Sequence, residues 1–413
     1  MKKTAAVILC LLCSLGAFSQ SRTQRLVEEA ASREPFASGL WGVKAMTLSG
    51  EVIADYNSGK RFVPASNVKI LSTGLAMDKF GPDYRFDTFL GYNGSVEEGV
   101  LTGDLYIVGT GDPSLGLGSA SVVDGIFAAW RDILKSNGIN EIDGRIVADH
   151  RYIGEKPVNS SWQMEDIRCG DGLELRGLNY ARNVREIAKL YRPGFVAVES
   201  PHDTCARAFL NYLEAHEFKT GGYTADDRDP LMVPQDSLVI LGKTRSERLS
   251  VLAKHTNHTS DNFYAEAMLN AVLRDCKLDD AFRSYGIEPR PLCRIVDGCG
   301  LSRKDYVSPS FFCDFLALMA GKSCFKAFLG SLPQPGNGTL AVRLPKASKG
   351  LKSRIYMKSG SMNGVRCFSG YVLPSSEDGQ TIVFSLLTNN MDAPSKTVFD
   401  EIDGIIESIA SEN

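Results

Sequence analysis

Pro64-Ala65-Ser66-Asn67-Val68-Lys69 stands where the chain changes its period. Before it, residues 40–48 and 51–57 alternate apolar and polar around Ser49-Gly50, the pattern of a hairpin. After it, Val68, Leu71, Leu75 and Met77 recur at helical spacing until Gly81-Pro82 stops the run. Two strands therefore feed a helix that starts at Ser66. Positions three apart share a helix face, so Lys69 presents its amine beside the Ser66 hydroxyl. A serine hydroxyl is a weak nucleophile until a base takes its proton. A lysine serves as that base when burial or a second cation lowers its pKa. A helix N-terminus also aims N–H groups at developing negative charge. Alone, Ser-x-x-Lys carries little, because it arises about once or twice by chance in a chain of this length.

Two distant segments add to it. In Ser260-Asp261-Asn262, a serine can relay a proton to a leaving amine, and an asparagine can bond both a substrate carbonyl and Lys69. The same residue types also cap helices. Lys358-Ser359-Gly360 follows the apolar strand start Ile355-Tyr356-Met357. There Lys358 can hold an anion, Ser359 can bond a carboxylate, and a glycine on a strand lets a substrate backbone lie alongside. A solvated strand end is the plainer reading. The order decides between them: Ser-x-x-Lys early, Ser-x-Asn in the second half and Lys-[Ser/Thr]-Gly on a late strand is the motif set of the penicillin-recognising serine hydrolases.

The rest of the chain fits an α/β (α+β) protein. Residues 24–31, 249–273, 309–319 and 395–409 read as helices, and 370–373 and 381–388 as strands. From about 84 to 241 the texture changes to short alternating runs between Gly, Pro, Asp and Asn, with one helix at 122–137. This predicts a β-rich inserted domain over 85–241, with a smaller subdomain after about 159. Segments 20–84 and 242–413 then form the peptidase domain. Residues 1–19, with Lys2 and Lys3, an apolar stretch and Ala17-Phe18-Ser19, read as a cleaved signal peptide, which implies export to the periplasm.

Composition narrows the classes. With 43% hydrophobic, 23% charged and 9% aromatic residues in 413, the chain is neither disordered nor fibrous. The net charge of −3 gives no overall drive toward nucleic acid. No later window is apolar enough to span a membrane. Cys169, Cys205, Cys276, Cys293, Cys299, Cys313, Cys324 and Cys367 remain after cleavage, an even number that permits disulfides, among them a Cys293–Cys299 loop staple; buried free thiols are the alternative. His255 and His258 lack further ligands at metal spacing, so no metal and no cofactor is expected.

At these residues the chain resembles the PBP4-type D-alanyl-D-alanine carboxypeptidases/endopeptidases, low-molecular-mass penicillin-binding proteins in which a large insert separates the first two motifs. Gly109-Thr110-Gly111-Asp112-Pro113-Ser114-Leu115 is similar to that family's Gly-Gly-Gly-Asp-Pro-x-Leu turn. Asp297-Gly298-Cys299-Gly300-Leu301-Ser302-Arg303 is similar to its Asp-Gly-Ser-Gly-Leu-Ser-Arg, and Gly336-Asn337-Gly338-Thr339-Leu340 to its Asp-Gly-Thr-Leu region. The resemblance implies a penicillin-binding-protein/β-lactamase-like fold, an antiparallel sheet flanked by helices. It implies that Ser66 is acylated, that Lys69 is the base, and that Ser260 and Asn262 line the opposite wall. It implies that Lys358, Ser359 and Gly360 bind the terminal carboxylate, with the N–H groups of Ser66 and Ser361 as oxyanion hole. Asp166 and Arg303 match the positions that read the third residue of a peptidoglycan stem peptide. Stem peptides are thus the expected substrates and β-lactams the expected covalent inhibitors.

Three departures stand out: Ser359 replaces the usual Thr, Cys299 stands where Ala, Asn or Ser is common, and 167–172 lacks the family's aromatic segment. The rival readings are a secreted serine β-lactamase, which is shorter and lacks the insert, and a non-catalytic cell-wall-binding protein. A Ser-His-Asp hydrolase is disfavoured, because none of the five histidines has a triad context.

Overall fold

The computed structural model describes residues 20–153, 158–168, 172–187, 194–197, 200–226 and 233–412. The proposed signal peptide and Cys169 lie outside them.

The last strands of the chain are apolar on both sides. In Ile382–Asn389 every residue is buried, so both sheet faces must be covered. Val383 and Leu387 point into one core; Ile382, Phe384 and Leu386 alternate into another. This strand lies at the centre of a five-stranded sheet. The order is Ile355–Met362, Val365–Val372, Ile382–Asn389, Leu40–Thr47, Val52–Tyr56, with every neighbouring pair antiparallel. The first hairpin turns at Gly50, whose φ of +93° suits glycine. On one face, the helices Arg22–Ala31 and Ser395–Ser411 bury Val27, Ala30, Ile402, Ile405, Ile406 and Ile409. On the other lie Val68–Phe80, Leu249–Thr259, Asn262–Leu273, Pro309–Ala320 and Phe325–Ser331.

Between the hairpin's helix and Leu249, the chain builds a second body. Its five-stranded sheet runs Tyr223–Asp226, Arg145–Asp149, Leu105–Gly109, Asp87–Tyr92, Val239–Arg245 and mixes parallel with antiparallel pairs. A four-stranded sheet lies beside it in sequence, Lys219–Thr220, Glu141–Asp143, Val100–Thr102, Ser95–Glu97. Parallel pairs need crossovers. This body accordingly has two long helices, Ala120–Ser136 and Pro201–Ala215, which share a core of Phe127, Trp130, Phe209 and Leu213. The sequence reading expects only the first. The second carries its own signals: Pro201 in the first turn, then Cys205, Phe209 and Leu213 four apart. Among the described residues, no helix is long and apolar enough to cross a membrane.

Residues 249–273 read as one helical run but fold as two helices. Thr259 ends the first, Ser260 adopts a left-handed conformation (φ +61°, ψ +38°), and Asp261 caps the second by accepting the Tyr264 N–H at 3.2 Å.

Candidate active site

Ser66 sits in a tight 3-10 turn, Ala65–Asn67, that leads into the helix Val68–Phe80. Two glycines grip this turn. A Cβ at Gly360 would stand 2.7 Å from the Pro64 carbonyl and 3.1 Å from the N atoms of Ser66 and Asn67. A Cβ at Gly300, whose φ is +80°, would stand 1.8 Å from the Ala65 carbonyl. Sequence reasoning assigned Gly360 to substrate clearance. The structure gives it a nearer duty, since the edge strand approaches the Ser66 turn too closely for any side chain. Asn67 ties the turn to the sheet through Ser369 Oγ (2.8 Å), which bonds Ser385 Oγ (2.8 Å).

Lys69 is fully buried one turn further on. Its Nζ lies 2.9 Å from Ser66 Oγ, 2.7 Å from Asn262 Oδ1 and 2.7 Å from the Cys299 carbonyl. Burial lowers its pKa below the ordinary lysine value, while the negative charges around it, Asp297, Asp261 and Glu266 among them, pull the other way. An uncharged Lys69 has two N–H groups, one for Asn262 and one for Cys299, and a lone pair directed at the Ser66 hydroxyl. That is the arrangement a general base needs.

Lys358 is equally buried. Its Nζ donates to Ser260 Oγ (3.1 Å) and to the Ser359 carbonyl (2.7 Å). Burial and then the Lys69 charge drive its pKa well below the ordinary lysine value. Two amines in one dry site resist being charged together. Ser66, Lys69, Ser260, Asn262 and Lys358 thus stand in one cluster drawn from three distant segments. Ser359 Oγ donates to Thr339 Oγ1 (2.8 Å), and Ser361 follows on the edge strand with its side chain exposed.

Asp166 and Arg303 lie outside this network. Asp166 is on the short helix Met164–Arg168, where its carboxylate accepts the Gln163 N–H at 3.1 Å. Arg303 is half-buried in the loop after Ser302.

The loop 297–303 explains what Cys299 does. Its carbonyl holds Lys69, while its thiol is buried, with a pKa pushed well above the usual range by that burial. Asp297 organises the loop. One carboxylate oxygen accepts the N–H groups of Cys299 (3.1 Å) and Gly300 (2.6 Å); the other accepts Ser302 N–H (2.7 Å) and Trp162 Nε1–H (2.8 Å). Ser72 Oγ donates to the Gly298 carbonyl (2.6 Å), and Glu266 accepts the Gly298 N–H (2.6 Å). Glu266, Asp297 and Cys299 bring ligand atoms within 4.8 Å of one another. Three N–H groups of the loop and the Trp162 Nε1–H already fill the Asp297 oxygens, so Asp297 serves the loop. Cys205, Cys276, Cys293, Cys299, Cys313, Cys324 and Cys367 are free thiols, so of the two readings of Cys293 and Cys299 the buried thiols hold and not the staple.

Sequence reasoning missed the Cys299 carbonyl and Thr339 as parts of the site. A carbonyl has no residue-type signature; Thr339 lay within a segment matched only loosely.

A buried lysine stands at hydrogen-bond distance from a partly exposed serine, beside a five-stranded antiparallel sheet with helices on both faces, and such a pair suits a serine hydrolase of the Ser-x-x-Lys class. The sequence profile of the D-Ala-D-Ala carboxypeptidase 3 (S13) family matches residues 24–194 and 192–409, and the chain belongs to that family. It is a serine-type D-Ala-D-Ala carboxypeptidase by that membership. The D-alanyl-D-alanine carboxypeptidase of an Actinomadura species is 23% identical, covering 84% of this chain and 77% of its own length. That of Haemophilus influenzae is 22% identical, covering 90% of each. The fold is that of penicillin binding protein 4 from Haemophilus influenzae (TM-score 0.76, 20% identity, 95% of this chain and 98% of that one). A predatory endopeptidase from Bdellovibrio bacteriovorus is a more distant match (TM-score 0.56, 15% identity, 90% of this chain, 92% of that one).

Proposed function

We propose that this protein is an exported carboxypeptidase/endopeptidase that cleaves peptidoglycan stem peptides through an acyl-enzyme on Ser66, and that β-lactams inhibit it by acylating the same residue. The observation that carries this reading is the placement of Lys69 Nζ at hydrogen-bond distance from both Ser66 Oγ and Asn262 Oδ1. In the proposed sequence, Lys69 takes the Ser66 proton as the oxygen attacks the carbonyl of the penultimate D-alanine. The N–H groups of Ser66 and Ser361 receive the oxyanion; losing such a donor typically costs about 3 kcal/mol of barrier. The C–N bond then breaks as Ser260 gives its hydroxyl proton to the departing amine and takes one from Lys358, which donates to it, while the proton gained by Lys69 keeps the charge of the site constant. The acyl C–O bond to Ser66 then breaks under attack by water, which restores the hydroxyl.

Lys358, Ser359 and Gly360 bind the terminal carboxylate in this reading. Asp166 and Arg303 read the stem peptide's third residue. Segments 20–84 and 242–413 form the peptidase domain, 85–241 the insert, and residues 1–19 a signal peptide removed on export to the periplasm.

The test is to incubate the purified chain with a fluorescent penicillin, and separately with pentapeptide and cross-linked muropeptide, identifying products by mass. A long-lived label on wild type, lost in Ser66→Ala, together with release of D-alanine, is the expected result. Label retained by Ser66→Ala refutes the assignment. Rapid penicillin turnover points to a β-lactamase instead, and wall binding without D-alanine release to a non-catalytic protein.

A further inference from the structure

The Gly109–Leu115 turn has no place in the chemistry above, and it leads to one further residue. Gly109 and Gly111 receive the loop 176–183. A Cβ at Gly109 would stand 2.4 Å from the Gly177 carbonyl, and the Gly111 N–H donates to that same carbonyl at 2.6 Å. Asn179 Nδ2 donates to the Asp112 carbonyl (3.2 Å), and Ala181 N–H to the Leu115 carbonyl (2.9 Å). The turn is therefore a cradle for this loop.

What the cradle holds is unusual. Ala181, Arg182 and Asn183 all have positive φ (+49°, +58° and +58°). L-residues visit this region singly, and each visit costs on the order of 1 kcal/mol or more. Three in a row persist only where the surroundings over-determine them. Asn183 supplies much of that: its Nδ2 donates to Asn179 Oδ1 and to the Glu174 carbonyl, both at 2.8 Å, and its Oδ1 accepts the Tyr180 N–H at 3.0 Å. Asn179 and Asn183 are both buried.

The strained turn delivers one group. Arg182 Nη1 donates to Asp261 Oδ2. Asp261 is the middle residue of Ser260-Asp261-Asn262, and its side chain is 2% exposed. It also accepts the Tyr264 N–H (3.2 Å) and, at Oδ2, the His255 Nε2 hydrogen (3.2 Å). Burial alone would raise its pKa; the His255 hydrogen bond, the Arg182 charge and the Tyr264 N–H outweigh burial and keep it lowered. On either side of this anchored carboxylate, Ser260 reaches Lys358 and Asn262 reaches Lys69.

We propose that Arg182 is a positioning residue for catalysis: held in a left-handed turn by the Gly109–Leu115 cradle, it clamps Asp261 and thereby sets the left-handed Ser260 and the Asn262 side chain against the two lysines. The middle region of the chain thus acts on the reaction from a distance. This inference rests on the acyl-enzyme reading of the same site.

The experiment measures acylation by a fluorescent penicillin as a function of concentration, so that the encounter constant separates from the first-order acylation rate. Wild type is compared with Arg182→Lys, Arg182→Gln, Asp261→Asn and the Arg182→Gln/Asp261→Asn pair, with melting temperatures alongside. The first-order rate of R182Q falls at least about tenfold while its encounter constant stays within about threefold. R182K, which keeps the charge and the stem, returns to within about threefold of wild type. The double variant is no slower than D261N alone, because the two residues act as one unit. An R182Q rate within twofold of wild type overturns the inference, as does equal loss in R182K and R182Q, or multiplying losses in the double variant. Both glutamine and lysine retain the side-chain stem, so neither result depends on an unfolded loop. A wild-type chain that takes no label overturns the acyl-enzyme reading and this one together; a labelled wild type beside an unimpaired R182Q overturns this one alone.

Discussion

Gly360 and Ser66 approach so closely that a single methyl group at 360 would lie 3.1 Å from the Ser66 nitrogen. The edge strand and the Ser66 turn are therefore one mechanical unit. Gly360→Ala must push either the strand or the turn by a few tenths of an ångström, and both carry proposed catalytic groups. Acylation by penicillin falls at least about tenfold, since sub-ångström misplacement is amplified in rate. Wild-type acylation in this variant would show that the approach is slack.

In the proposed mechanism Lys69 acts only when uncharged, and burial lowers its pKa. The acylation rate therefore rises with pH as Lys69 loses its proton, and the midpoint of that rise lies below the ordinary lysine value of 10.5. A pH–rate profile for penicillin acylation checks this. A rise centred at or above 10.5 would remove Lys69 as the base.

Lys358 is a buried amine that bonds Ser260 and the Ser359 carbonyl, and burial makes its charged form costly. Its pKa is lowered on folding, so the folded chain binds fewer protons there than the unfolded chain, and its destabilising effect is largest at low pH. Lys358→Met removes that effect: acylation falls at least about a hundredfold, while the melting temperature below pH 7 holds or rises. A melting temperature that drops with activity would show that the amine stabilises the fold.

Glu266 accepts the Gly298 N–H, and its pKa is pushed to about 7, first by burial and then by Asp297. The folded chain keeps this proton where the unfolded chain, near the ordinary 4.5, has released it. Stability contributed by the group is therefore present below about 4.5 and lost as pH rises toward 7. In Glu266→Gln the fall in melting temperature between pH 5 and pH 8 becomes smaller. An unchanged fall locates the titration elsewhere.

The residues of the cluster were legible because Ser66 and Lys69 sit one helical turn apart, and because Ser260-Asp261-Asn262 and Lys358-Ser359-Gly360 follow them in the order of a known motif set. Late in the chain, a mostly apolar stretch marks the strand Ile382–Asn389 and helical spacing marks Ser395–Ser411. What stayed hidden depends on contacts across the fold. The helical run at 249–273 conceals its break, because only Asp261 as a cap and Ser260 in a left-handed conformation divide it. Arg182 is one basic residue among 46 until the fold carries it to Asp261, and the Cys299 carbonyl is invisible in any sequence pattern.

The antiparallel sheet also has a consequence for biosynthesis. The hairpin that precedes Ser66 finds its inner neighbour in Ile382–Asn389, and the strand that presses on the Ser66 turn reaches that neighbour only through Val365–Val372. A nascent chain halted short of residue 389 would carry Ser66 and Lys69 with no scaffold to bring the edge strand to them. Hydrolytic competence therefore waits until residue 389 has been made, and a shorter nascent chain stays chemically inert.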